Sequence, residues 1–411
     1  MKLRRVIYGL ILSLILAALI IGCQPESAPH PQTKPTPEVR TPTGLTVEPS
    51  PTQDVINVLS TSTKVDFPKA LTFNLKVRSK AKITRIELRY KVEKTSPATV
   101  ITTVEPDFEP APEVKTSWTW DMRKASLPPG AELEYYWVIA DAAGNKLKTN
   151  PIRVEFNDLR HKWQELKQEA IRLFWYQGGK SFGQELMAAA QKALDKLAKD
   201  TGARLKRQVK IYIYANSQAL HQAMIYPQEW TGGVAFPEYN IIALGISPAN
   251  LIWGKRAVAH ELAHLVIHQI TFNPYVSLPT WLDEGLAMYA EGELRKDLKA
   301  ILQRAIAEDR LFSVRSLCSP FPAHAKEASL CYAESYSLVK FLISTYGSDK
   351  MLKLLQVFKQ GSSYDEALLA VYNFDLDGLE TLWRANLGLG PRLKTKAKGK
   401  PAKLLEVSVA H

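Results

Sequence analysis

Cysteine is scarce: the chain of 411 residues has three, Cys23, Cys318 and Cys331. None falls between residues 57 and 156, so whatever folds there does so without a disulfide between its layers. Long apolar runs are scarcer still. The one that stands out, residues 6–21, is sixteen residues long, short of the roughly 20 that a helix needs to span a bilayer. Walker and Rossmann fingerprints are both missing, which removes the common sequence signatures of phosphate and dinucleotide binding. No nucleic-acid module is recognisable either, despite a formal charge of +12, and no nucleic-acid partner is expected. Much of that positive excess is local, since residues 392–403 hold six basic side chains and no acidic one. Residues 391–411 therefore read as a solvated basic tail able to touch anionic lipid or cell-wall polymer. What is present in quantity is apolar and mixed-charge sequence, 46% hydrophobic and 23% charged, enough for about two or three domains with cores.

The chain opens with Lys2, Arg4 and Arg5, the apolar run, and then Gly22-Cys23, the layout of a targeting signal over residues 1–23. Ile20-Ile21-Gly22-Cys23 resembles a bacterial lipobox, which implies cleavage before Cys23 and lipidation of that cysteine. The alternative is an uncleaved signal anchor. Either way the remainder is expected outside the cytoplasm, held to the cell membrane. Residues 24–56 carry eight prolines among polar residues and no apolar periodicity. Such a stretch cannot bury enough surface to offset chain entropy, and proline keeps it extended, so it reads as a linker.

From residue 57 to 156 the apolar period is two: Leu71, Phe73, Leu75, Val77; Ile86, Leu88, Tyr90, Val92; Leu133, Tyr135, Trp137, Ile139; Ile152, Val154, Phe156. These are strands with one buried face, separated by turn signals at Pro128-Pro129-Gly130 and Ala143-Gly144-Asn145. The stretch resembles an immunoglobulin-like or fibronectin-type β-sandwich, which could bind a surface ligand or serve as a spacer or packing partner.

Residues 157–390 read as an α+β unit with a helical second half. Asn157 is placed as the cap of a helix over residues 159–175, followed by a helix over 182–199, a strand at 209–214, a short helix near 218–224 and strands at 234–236 and 239–244. Further helices are expected at 294–306, 333–346, 350–359, 364–372 and 376–386.

Inside this unit lies His260-Glu261-Leu262-Ala263-His264 and, seventeen residues later, Trp281-Leu282-Asp283-Glu284-Gly285. On a helix His260 and His264 are one turn apart on one face, so both rings can point at one metal ion, with Glu261 beside them. A catalytic zinc ion takes three protein ligands and keeps one position open, and Glu284 is the hypothesised third. His268 shares the face but lies about 12 Å along the axis from His260, too far for the same ion. The two segments together resemble the gluzincin metallopeptidases, and their order is close to the peptidase MA-like branch. The resemblance implies one zinc ion held by His260, His264 and Glu284, Glu261 as general base, and Asp283 as hydrogen-bond partner of a ligand histidine. It also implies that the strand at 239–244 edges the cleft and pairs with substrate backbone, the alternative being an ordinary interior strand. Tyr332, and less so Tyr336, stands where the family places an oxyanion donor. Cys318 and Cys331, in an oxidising compartment, are expected to form a disulfide, the alternative being two buried free thiols. The expected molecule is therefore a multidomain, membrane-anchored zinc metallopeptidase acting on peptide or protein, a β-sandwich followed by a gluzincin-type domain. The competing reading is a surface binding or adhesion lipoprotein whose metalloprotein part is scaffold.

Overall fold

A computed structural model describes residues 55–95, 99–226 and 232–392. The signal segment with Cys23, nearly all of the linker, Thr231 and the tail beyond Arg392 lie outside the described residues.

The alternating segments build two antiparallel sheets around one core. The first has the order β1-β2-β5, from β1 (Ile56–Asp66), β2 (Ala70–Ser79) and β5 (Glu113–Asp121). The second has the order β4-β3-β6-β7, from β3 (Ile83–Val92), β4 (Thr102–Val104), β6 (Ala131–Asp141) and β7 (Lys146–Lys148), and β8 (Ile152–Phe156) also pairs with β6. Leu71, Phe73, Leu75 and Val77 of β2 meet Leu133, Tyr135, Trp137 and Ile139 of β6, all buried. Period two puts each set on one face of its strand.

The expected helix at 159–175 does not form. Its place is taken by an antiparallel pair, β9 (Gln164–Gln168) and β10 (Ile171–Trp175), reversing at Glu169 with φ 48°. Ile171, Leu173 and Trp175 face one core and Phe174 the opposite one. Apart from Arg172, which pairs with Glu165 at 2.7 Å, β10 is apolar, and periodicity alone does not distinguish so short an apolar run from buried helix.

β10 joins β11 (Val209–Tyr214), β12 (Gly233–Phe236) and β13 (Ile241–Gly245) in a sheet ordered β12-β13-β11-β10-β9. β10, β11 and β13 run parallel, with antiparallel β9 and β12 at the edges. Helices α1 (Gly179–Thr201) and α2 (Ser217–His221) make the crossovers. Ile211, Ile213 and Leu244 pack against α1 and against α3 (Leu251–Thr271). On the other face Phe174, Tyr212, Tyr214, Ile241 and Ala243 enter the core of the N-terminal sheets. Lys210 pins the seam: its ammonium donates to Gly130 O (2.9 Å) and pairs with Glu132 (2.6 Å) and Glu155 (2.7 Å). The two parts expected as separate modules thus share a core, and the described residues cluster as one compact unit.

The second half is helical: α4 (Thr280–Ala290), α5 (Lys296–Ala307), α6 (Ala325–Lys359), α7 (Tyr364–Tyr372) and α8 (Leu376–Asn386). α6 joins the two helices expected at 333–346 and 350–359, begins earlier, and breaks its helical dihedrals at Gly347, φ 83°. α4 lies close on α6, for a Cβ on Gly285 would meet Ser335 O at 2.5 Å. Cys318 and Cys331 are free thiols, so the expected disulfide is not formed. Cys331 is buried in the helical core, while the Cys318 thiol donates to Val314 O at 3.4 Å. Burial pushes their pKa values up to about 11 for Cys318 and about 12 for Cys331. Among the described residues no helix is long and apolar enough to cross a membrane.

Candidate active site

Helix α3 is buried on most sides, and along its remaining face Arg256, His260, His264 and His268 recur every four residues, each one turn above the last. Helix α4 crosses this face and brings Asp283 and Glu284; Glu291 follows one residue past its end. The result is two chains of the same build. Arg256 Nε donates to Glu291 (2.9 Å), whose other oxygen accepts from His260 Nδ1 (2.9 Å). His268 Nε2 lies 3.2 Å from Asp283 Oδ2, and Asp283 Oδ1 accepts from His264 Nδ1 at 3.0 Å. Asp283, expected to partner a histidine of the pair, thus lies against His264. Glu291 had not been singled out from the sequence, although it lies seven residues from Glu284, two turns along the same face.

With both Nδ1 atoms committed to carboxylates, each neutral ring presents a lone pair at Nε2. The two Nε2 atoms are 3.3 Å apart, and Glu284 Oε2 lies 3.4 Å from one and 3.6 Å from the other. Those carboxylate distances are long for hydrogen bonds, and Glu284 Oε2 is buried without a hydrogen-bond partner. Three acceptor atoms therefore converge on one point. Ligands bonded to a tetrahedral zinc ion at about 2.0–2.1 Å are about 3.3 Å from each other, so this triangle has the size for one ion. His260, His264 and Glu284 form one of the two groups of side chains here that could hold a metal; the second, His264, His268 and Asp283, already has its atoms satisfied by the hydrogen bonds above.

The electrostatics agree. Burial pulls the His260 pKa down, but the carboxylates of Glu284 and Glu291 outweigh it and raise it to about 9. His264 is raised as well, against burial, by Asp283 and Glu284. Burial pushes Glu284 up, yet the two histidines hold it down at about 2. Asp283, Glu284 and Glu291 thus place negative potential at the two rings, which favours a positive charge there.

Glu261 lines a cavity of about 340 Å³ with Gly233, Trp253, Arg256 and His260. The strand bordering it is not the expected one: the strand expected at 239–244 is β13, which lies inside the sheet, and β12 is the edge. Gly245 N donates to Gly232 O at 3.0 Å, and Gly233 pairs with Leu244. Since inward-bonded pairs alternate in an antiparallel ladder, Gly233 and Ala235 turn their main-chain groups outward. A Cβ on Gly233 would come within 3.2 Å of Glu261 Oε1 and 2.4 Å of Leu244, so glycine allows the strand to approach the helix.

Tyr332 on α6 is half-buried with its ring edge-on to Phe321 at 5.1 Å. Its phenol is pushed up by burial and then by the charges of Glu284 and Glu261. Tyr336 is instead buried in the helical core beside Tyr289. A Gly-x-Ser-x-Gly segment, Gly179 to Gly183, forms the first turn of α1. Its Ser181 is exposed, and no side-chain hydrogen bond is recorded for it among the described residues.

Residues 189–388 match the family profile of the Peptidase MA superfamily, a span that contains every side chain of this site. No curated protein matches the chain. Among solved structures the chain is similar to an M1 zinc metallopeptidase from Deinococcus radiodurans at 14% identity, covering 83% of this chain and 95% of that one, with a TM-score of 0.28. It is similar to Legionella pneumophila aminopeptidase A in complex with aspartic acid at 11% identity, covering 80% and 50%, TM-score 0.35. It is also similar to a family 56 carbohydrate-binding module, a β-1,3-glucan binding domain, at 17% identity, covering 23% and 95%, TM-score 0.15.

Proposed function

We propose that the protein is a zinc-dependent peptidase that hydrolyses peptide bonds with Glu261 as general base. The observation that carries this reading is the triangle of buried acceptors on His260, His264 and Glu284, with Glu284 Oε2 lacking any hydrogen-bond partner. The match of residues 189–388 to the Peptidase MA superfamily supports it. The three residues would hold one zinc ion and leave a position open. When bound, zinc supplies a Lewis acid that polarises the scissile carbonyl and lowers the pKa of water.

The chain's own groups do the rest. Asp283 and Glu291 fix the tautomer and orientation of the two rings. Glu261, at the edge of the cavity, takes the proton of the attacking water and returns it to the leaving amine. The Tyr332 phenol, kept protonated by its raised pKa, donates to the oxygen on which charge develops. Gly233 and Ala235 of β12 hold the substrate backbone as an added strand. We read the N-terminal sheets as an immunoglobulin-like sandwich, and Cys23 as a lipid anchor that keeps the protein on the outer face of the cell membrane. Replacing Cys23→Ser should abolish incorporation of labelled fatty acid; continued labelling removes the anchor.

Parallel measurement of bound zinc and peptide hydrolysis tests the mechanism. Glu261→Gln should keep its zinc and lose at least roughly a hundred- to ten-thousandfold in turnover. Glu284→Ala should lose zinc and activity together, since only two protein donors remain. Near wild-type hydrolysis in the first variant, or full zinc occupancy in the second, defeats the assignment.

A further inference from the structure

Past the end of β12 a second cavity, of about 510 Å³, lies beside α3. Pro237 and Glu238, in the turn that follows β12, form one wall, and His268, one turn beyond His264, forms another. The loop joining α3 to α4 supplies most of the remainder, with Phe358 of α6, while Thr95 comes from the segment after β3. From Gly233 to Pro237 an extended chain covers about 13 Å; from His260 to His268 the helix rises about 12 Å. The cavity at Gly233 and His260 and the cavity at Pro237 and His268 are therefore displaced by the same length along both elements, with His264 between them. A peptide aligned on Gly233 and Ala235 passes the donor triangle and reaches the second cavity about two residues further on.

The lining decides what enters. Phe272, Pro274, Tyr275, Val276, Leu278 and Phe358 present apolar surface. The charged and titratable groups there are already paired, Glu238 with Lys94 at 2.7 Å and His268 with Asp283 at 3.2 Å. A charged side chain would lose its water and meet no free counter-charge, whereas a large apolar one gains by burial. The volume falls within the roughly 300–1,000 Å³ of ligand-holding clefts. Asn273 ties the loop in place: its side chain accepts from Tyr275 N (2.8 Å) and donates to Lys359 O (2.9 Å). Tyr275 itself stands 91% exposed at the rim.

We propose that this cavity is a specificity subsite that takes one bulky apolar side chain, aromatic or branched aliphatic, of an extended peptide substrate, about two residues from the bond cut and on one side of it only. The inference rests on the peptidase reading above. Zinc-loaded full-length protein should be assayed on fluorogenic peptides varied one position at a time across three residues on each side of the scissile bond. At one position Phe or Leu should exceed Asp and Lys by roughly ten- to a hundredfold in kcat/KM. Val276→Glu should move that preference toward Lys by at least about tenfold. Tyr275→Asp, at an exposed position where the fold is safe, should shift it the same way. A flat profile at all six positions, or one unchanged in both variants, overturns the subsite.

Calorimetric binding to zinc-loaded Glu261→Gln protein separates this inference from the reading beneath it. Peptides carrying Phe, Asp or Lys at the chosen position should bind with Phe favoured at least about tenfold, a preference that Val276→Glu and Tyr275→Asp reduce when each is added to Glu261→Gln. Absence of cleavage by the wild type with that preference intact leaves the subsite standing and removes the peptidase. Equal binding of the three peptides overturns the subsite whatever the turnover.

Discussion

At the scale of single residues, His260 and His264 are notable for what stands behind them. A carboxylate on Nδ1 raises the basicity of Nε2 and fixes its direction, and here both rings have one, Glu291 for His260 and Asp283 for His264. Glu291→Gln keeps a hydrogen-bond acceptor but removes the charge, and should weaken zinc binding by roughly ten- to a hundredfold in competition with a chromophoric chelator. An unchanged affinity would show that Arg256 and Glu291 pair with each other and do nothing for the metal. The His260, Glu261, His264 and Glu284 constellation was legible from the sequence because one-turn spacing on a helix is a local geometric fact. Glu291 was not, because a lone glutamate seven residues from a ligand is as common on a solvated face as in a site. The cysteine pair misled for a related reason: spacing and compartment permit a bond, but the helical core claims Cys331 and a carbonyl claims the Cys318 thiol.

At the scale of elements, the glycine beside Glu284 is set by packing. Adding a methyl group in Gly285→Ala would drive a carbon against Ser335 O at 2.5 Å and Val339 Cγ2 at 2.7 Å, so α4 must retreat from α6. A loss of about 1–3 kcal/mol is expected, and because Glu284 is the adjacent residue, zinc occupancy should fall with it. Wild-type stability in urea together with full zinc would refute the link. α6 also carries Glu334, fully buried, with Oε1 accepting from Phe312 N at 3.1 Å and Oε2 unpartnered. Burial pushes its carboxyl up to about 8 from the ordinary 4.5. Between those values the unfolded chain has released the proton and the folded one keeps it, so folding stability falls as pH rises from about 4.5 to 8 and then levels. Glu334→Gln should remove a drop on the order of a few kcal/mol across that window, measured as urea unfolding at pH 5 and pH 8; identical slopes in both proteins would discount the residue. Alternating strands and amphipathic helices were readable from their periods. β9 and β10 were not, because the turn at Glu169 and Ala170 has no Gly, Pro or Asn and β10 sends apolar side chains into cores on both faces.

At the scale of the molecule, the N-terminal sheets act as one covering layer of the sheet that carries β12. A chain beginning at residue 157 would bare Phe174, Tyr212, Tyr214, Ile241 and Ala243 together, a contiguous apolar face of the kind that drives association. Such a fragment should be insoluble or bind a hydrophobic dye strongly, and a soluble monomer with native zinc affinity would show the layer to be dispensable. No sequence pattern announced this seam, since Tyr212 and Tyr214 read simply as strand residues. The ladder of Arg256, His260, His264 and His268 carries its own consequence for any ligand made to fill the cleft. Each step of four residues turns about 400°, so every rung is rotated about 40° past the one before and the last faces about 120° away from the first. The ladder is a spiral stair, with one cavity at its foot and the other at its head. A flat, rigid inhibitor seated in one cavity therefore points away from the other, and a compound that occupies both needs a freely rotating joint near His264.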